Sequence, residues 1–387
     1  MKNQIKTLSI VLLIIVGIGG CNPPVPNNSH IEIDQTANYT EKELILQDFM
    51  DVVYIPLETN AEFVTSGIVM DIGSKYIIVK NWTKEGNIFI FDRNTGKALK
   101  KLNMLGKGPE EYSHLTNLVL DEQNNELFVN CLTSKKILVY DLSGNFKRSF
   151  NHIENVRYMD VYNYDSDNLI VYNEMAQYNI GQNKGDEPYH MILSKQNGSV
   201  TRHISIPFDV IKAPIIQEGD AVVASSVPTI IPNHGNWLLV EPSSDTVYNY
   251  LSRENKLEPI LVKKPTKDPE IFIKVGTLTA SYFFISTLKK VFDFSTGRGF
   301  PTSDLMYDKQ ENTVYEPAII NADYLKKQTV DMTSHPVNGD EIAAFQNLQA
   351  FKLVEAYKKN ELTGKLKEIA AKLDEESNPV IMLMKEK

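Results

Sequence analysis

Trp82, Lys107, Tyr112, Tyr178 and Arg298 are the side chains best suited to hold a polar ligand, and each lies in a stretch without a strand-like apolar pattern. Aromatic faces with a few polar groups suit a sugar or a peptide. Other chemistries leave fainter traces. The seven histidines, His30, His114, His152, His190, His203, His234 and His335, include no His-x-His or His-x-x-x-His pair, so no zinc motif is present. Ligands drawn from separate strands would leave no such motif, so a divalent cation stays open. Asp165-Ser166-Asp167-Asn168 starts like a calcium loop but lacks the Gly and Glu that complete one, and reads as a turn. Glu110 and Glu111 are adjacent on a loop and read as a solvated pair rather than an acid and a base. There is no Gly-x-Ser-x-Gly nucleophile elbow. The segment Gly106 to Tyr112 departs from the phosphate-binding pattern and precedes a strand, so its glycines serve backbone turns. Cys131 ends an apolar run with no Cys/His motif around it and reads as a small hydrophobe.

The N-terminus bears on compartment. Lys2 and Lys6 precede an apolar run from Leu8 to Ile18, then Gly19, Gly20 and Cys21. A basic start, a short apolar core and small residues before a break make a secretory signal peptide. The run is shorter than the ~20 residues of a membrane-spanning helix, which is the rival reading. Ile18-Gly19-Gly20-Cys21 resembles the lipobox of bacterial lipoproteins, with Ile where Leu is usual. That resemblance implies cleavage after residue 20 and lipidation of Cys21, with residues 21–30 as a Pro-rich tether. It implies an inner- or outer-membrane lipoprotein facing the periplasm, with the cell surface also possible. A lipidated Cys21 leaves Cys131 without an intramolecular disulfide partner.

The chain of 387 residues carries 40 basic and 49 acidic side chains. Without Lys2 and Lys6 the basic count is 38 and the net charge −11. Such a chain lacks the basic face that binds nucleic acid, and has no general attraction to anionic lipid. Membrane attachment therefore falls to the acyl chains on Cys21.

Short apolar runs recur between Asn, Asp and Gly punctuation. Ile88-Phe89-Ile90-Phe91-Asp92 returns as Ile137-Leu138-Val139-Tyr140-Asp141, and more faintly around Ser194, Leu251 and Asp308. Steps of about 50 residues with several strands each indicate propeller blades. Four strands parse from the first unit (67–73, 76–80, 87–92, 98–102) and four from the second (115–121, 126–130, 136–141, 146–150). Val52–Leu57 and Asn378–Met384 then share a sixth blade and close the ring, removing exposed edges. Leu362, Leu366, Ile369, Ala370 and Leu373 form a helical stripe, and 341–359 also reads as helix. The predicted fold is all-β: a six-bladed β-propeller over 31–387, with a helical insertion at about 341–374 before the last strand.

Val53-Tyr54-Ile55-Pro56-Leu57-Glu58-Thr59, Gly106-Lys107-Gly108-Pro109-Glu110-Glu111-Tyr112 and Asn378-Pro379-Val380-Ile381 are similar to the opening, a glycine-rich loop and the closing strand of a family of six-bladed β-propeller bacterial lipoproteins. Glu110 stands where that family usually has Gly. Residues 106–144 also resemble an NHL repeat. The resemblance implies fold and location, and little about chemistry.

In a propeller the innermost strands line a channel. The loops between second and third strands, and those between blades, open on one face. Loops 81–86, 103–114, 174–188, 207–221 and 288–303 belong there, and they contain the five ligand candidates. Two functions are expected. One is a binding or scaffold module for a glycan, peptide or protein. The alternative is a metal-dependent propeller hydrolase or lyase, lactonase-like, with a cation in the channel.

Overall fold

Tyr76–Lys80 and Glu126–Cys131 are apolar on successive residues rather than alternate ones. Strands of that kind must bury both faces, and sheets stacked around an axis provide this. The structure, a computed structural model, describes residues 30–81, 85–185, 189–333 and 342–387. Residues 1–29, with the signal segment, Cys21 and most of the tether, and Trp82 lie outside the described residues.

Six sheets surround a central axis. Blade 1 comprises Ile68–Ile72, Tyr76–Lys80, Ile88–Asp92 and Ala98–Leu102. Blade 2 comprises Asn117–Asp121, Glu126–Cys131, Lys136–Asp141 and Phe146–Asn151. Blade 3 begins at Tyr158–Asn163, blade 4 at Ile230–Asn233 and blade 5 at Ile271–Leu278. The first strands of blades 1, 2 and 3 lie side by side at the axis.

Between each pair of blades sits one apolar cluster. Ile77 and Val79 pack towards Ile55, Ile381 and Leu383 of blade 6, while Ile78 packs towards Leu118, Leu120 and Val129 of blade 2. Corresponding clusters join blades 2 and 3, 3 and 4, 4 and 5, and 5 and 6. Alternate side chains of one strand thus serve two interfaces.

The described chain starts on the rim. Ile31–Ile33 adds in parallel to the outer strand of blade 4, and Glu41–Ile45 to that of blade 5. After a single helical turn, α1 (Leu46–Phe49), Met50–Pro56 enters blade 6. There it pairs antiparallel with Val380–Glu386, which pairs in turn with Ala344–Leu348. The expected joining of both chain ends in one blade is present.

One expectation needs correction. Residues 344–348 are the first strand of blade 6, not helix. Pairing with Val380–Met384 overrides the local helical pattern. The insertion is α2 (Ala350–Lys358) and α3 (Gly364–Ala370). Leu353, Leu362, Leu366, Ile369 and Ala370 are buried against the blade 5–blade 6 cluster, so the pair packs on the ring. Among the described residues, no helix is long and apolar enough to cross a membrane.

Lys195, on a turn of blade 3, donates to Asp121 at the end of the first strand of blade 2, at 2.5 Å. Both side chains are almost wholly buried. Lys195→Met strands Asp121 as a buried charge, which should cost about 3–5 kcal/mol. Asp121→Asn added to it should recover much of the loss. Urea denaturation measures both, and a loss below about 1 kcal/mol would show that the carboxylate relaxes into solvent.

Candidate functional site

The first strands of blades 1 and 3 each carry a β-bulge. In blade 1 the register slips between Val69 and Asp71, and in blade 3 between Tyr158 and Val161. A bulge adds one residue and re-aims its neighbours. The residues at the two bulges are the same pair, Met70-Asp71 and Met159-Asp160.

These four side chains line a cavity of about 500 Å³ at the mouth of the channel. Ile68 and Val69 of blade 1, Asn117 and Leu118 of blade 2, Val161 and Tyr162 of blade 3, and Phe345 of blade 6 continue the wall. Tyr172, Glu174 and Tyr178 come from the second strand of blade 3 and the 3₁₀ turn that follows it. The connection from blade 3 to blade 4 supplies Ile215 and residues 224–229. Part of that connection is a projecting two-stranded ribbon, Ile215–Glu218 with Ala221–Ala224, on which Val222 is exposed.

Three carboxylates face the cavity and are held differently. Asp71 accepts from the backbone N–H groups of Leu120 (2.7 Å) and Ile72 (2.9 Å). Burial, with nearby Glu122, outweighs these amides and pushes its carboxyl up to about 7. Asp160 accepts from the Thr229 backbone N–H (2.9 Å) and hydroxyl (2.6 Å). Glu174 meets Arg157 at 2.8 Å, but burial still raises its carboxyl. No Lys, Arg or His is among the described residues of the wall. Among the described residues, no three His, Cys, Asp or Glu side chains are grouped to hold a metal ion.

A second cavity, of about 660 Å³, lies beside the outer strand of blade 3. Its Lys184 donates to the Ile206 carbonyl at 2.9 Å and lies over the Phe208 ring. Its Glu241 is buried, accepts from Ser243 N–H and Tyr172 hydroxyl, and is pushed up to about 7 by burial. Lys184 and Glu241 are already engaged, and the cavity stands off the axis.

Of the five ligand candidates, Tyr178 reaches the channel mouth, with 60% of its surface exposed. Lys107 and Arg298 are exposed but line neither cavity. Tyr112 requires correction, since it is fully buried. Its hydroxyl donates to the Gly86 carbonyl (2.5 Å) and accepts from the Met104 N–H (3.0 Å), so it locks two loops together and cannot meet a ligand. The adjoining Glu111 carboxylate accepts from the Gly108 N–H at 2.7 Å, occupying the amide an anion would need. Loops 174–188 and 207–221 do contribute to the mouth. Asp71 and Asp160 were missed, although the repeated Met-Asp inside two apolar first strands is a readable signal.

Two expected outcomes follow from these contacts. Tyr112→Phe leaves two buried backbone groups unpaired and should cost about 1–3 kcal/mol in urea denaturation. Asp71 has a folded pKa above its unfolded value, so the stability it contributes is present below about pH 4 and lost as pH rises through about 7. The stability of Asp71→Asn relative to the parent should therefore grow by ~2–4 kcal/mol between about pH 4 and pH 8. A constant difference would mean that Asp71 is solvated.

Comparison with known proteins places this geometry. A Bacteroides fragilis protein, named as exported by inference, superposes with a TM-score of 0.57 at 13% identity, over 93% of this chain and 99% of its own. A member of the DUF4221 family from Bacteroides vulgatus superposes with a TM-score of 0.47 at 10% identity, over 87% and 97%. Among curated proteins none matches this chain. The family description that matches, over residues 29–385, is domain of unknown function DUF4934.

Proposed function

The chain belongs to the DUF4934 family, and we propose that it is an extracytoplasmic, lipid-anchored binding module whose ligand enters the channel mouth. The observation that carries this reading is the cavity where four blades and two long connections meet, walled by tyrosines and carboxylates. Concave, largely preformed pockets with a few polar groups are where propellers and other folds hold ligands. A glycan or a peptide segment, free or part of a protein, fits walls of that kind. The net charge disfavours nucleic acid. The lipobox-like Ile18 to Cys21 and the name of the Bacteroides fragilis neighbour support the location.

Glycan and peptide arrays probed with the full-length protein should return a ligand class. Tyr178→Ala should weaken that ligand by about three- to ten-fold, with circular dichroism unchanged. Undiminished binding by both Tyr178→Ala and Asp160→Asn would move the site elsewhere. Cys21→Ser should shift the protein from the membrane fraction to the soluble fraction, and its retention in the membrane would remove the anchor.

A further inference from the structure

We infer that the channel-mouth cavity takes an organic cation: an ammonium group on an aliphatic stem, as in a lysine side chain or a diamine. This rests on the binding-module reading above and specifies its ligand.

Asp71 carries the argument. The hydrogen bonds to its carboxylate come from neutral backbone amides, from Leu120 and Ile72. Placing a carboxylate at a partly buried, bulged position is costly unless a positive charge meets it. The described wall contains no Lys, Arg or His to do so, and the Arg157 nearby is engaged with Glu174. The missing charge is therefore one that a ligand can bring.

The rest of the wall fits the same group. Asn117, a residue of the wall, has a buried Oδ1 with no hydrogen-bond partner. Tyr178, exposed at the mouth, supplies an aromatic ring, whose face attracts cations through its quadrupole. Met70, Val161 and Val227 offer an apolar surface for a methylene stem. Among the described residues no three His, Cys, Asp or Glu side chains are grouped to ligate an inorganic ion.

The test is calorimetric titration of the full-length protein in detergent. The probes are Nα-acetyl-lysine methylamide and 1,5-diaminopentane, set against the neutral isostere Nα-acetyl-norleucine methylamide and a neutral tetrasaccharide. Both amines should bind and the isostere should not. Asp71→Asn should weaken the amines at least about ten-fold, the loss of one charge-assisted contact. Ser226→Lys, at an exposed position of the wall, should block them by placing a tethered ammonium in the cavity. Circular dichroism reports whether each variant is folded, and the second variant stands if the first fails. Equal binding of the isostere, amine binding that survives both substitutions, or no amine binding at millimolar concentration overturns the inference. Saccharide binding lost in Tyr178→Ala would overturn the cation and leave the binding module in place.

Discussion

The ring depends on one joint. Asn378 lies 319 residues from Thr59, yet its N–H donates to the Thr59 hydroxyl at 2.7 Å. Its side chain donates to the carbonyls of Glu58 and Phe63 and accepts from the Thr65 N–H at 2.8 Å. Glu58 in turn accepts from the Ala98 N–H of blade 1 through its carboxylate. Closing so long a loop costs entropy only logarithmically in its length, so a single well-satisfied seam suffices. Gly96 has φ +71°, and a Cβ there would stand 2.0 Å from the Pro56 carbonyl, so the seam admits only glycine at this turn. Two of the three segments that resemble the lipoprotein family, Val53 to Thr59 and Asn378 to Ile381, are the two sides of this joint. Their pattern is a closure requirement, which explains why they indicate fold and say nothing of ligand.

The blade period was legible because it has a local cause. Asp92, Asp141 and Asp308 each accept backbone N–H groups from the turn that follows them. Ser194 does the same through its hydroxyl. Leu251 has no such side chain. There Asn236, on the neighbouring turn, accepts from the Ser252 N–H at 3.2 Å, so the mark in blade 4 lies on another strand and the repeat looks faint. The parallel additions of Ile31–Ile33 and Glu41–Ile45 were not legible. Their partners are more than two hundred residues away, and a short apolar segment does not declare which edge it will cover. The strand at 344–348 was hidden for a related reason, because its pairing partner is the end of the chain.

The site was half legible. Loop length pointed to Tyr178, which lines the channel-mouth cavity, since long connections in a compact ring lie over the mouth. Residue type alone misled at Tyr112, where an aromatic with a hydroxyl in a loop is as well suited to locking backbone as to meeting a ligand. Lys107, on the connection between blades 1 and 2, and Arg298, on a short ribbon within blade 5, share that ambiguity, being solvated outside both cavities. Asp71 and Asp160 were not singled out, because the face an acidic residue takes inside a strand run depends on the bulge beside it, and a bulge is a property of pairing rather than of composition.

The inner strands thus divide two tasks that conflict. Six apolar clusters between blades make the ring rigid, and each is built from strands that bury both faces. A carboxylate on such a strand works against that packing, and Asp71 is held with its carboxyl pushed up to about 7 by burial. Packing alone would favour an apolar residue at the position, as at Val119 in the corresponding strand of blade 2. The cost falls on one element while the neighbouring clusters hold the frame, the arrangement expected where a rigid scaffold presents a polar group to a ligand. Blade 3 repeats the device with Asp160, steadied by Thr229 from the connection to blade 4. Bulges in the first strands of blades 1 and 3, both beside one cavity, make the mouth a place where the fold gives up apolar packing for acidic side chains.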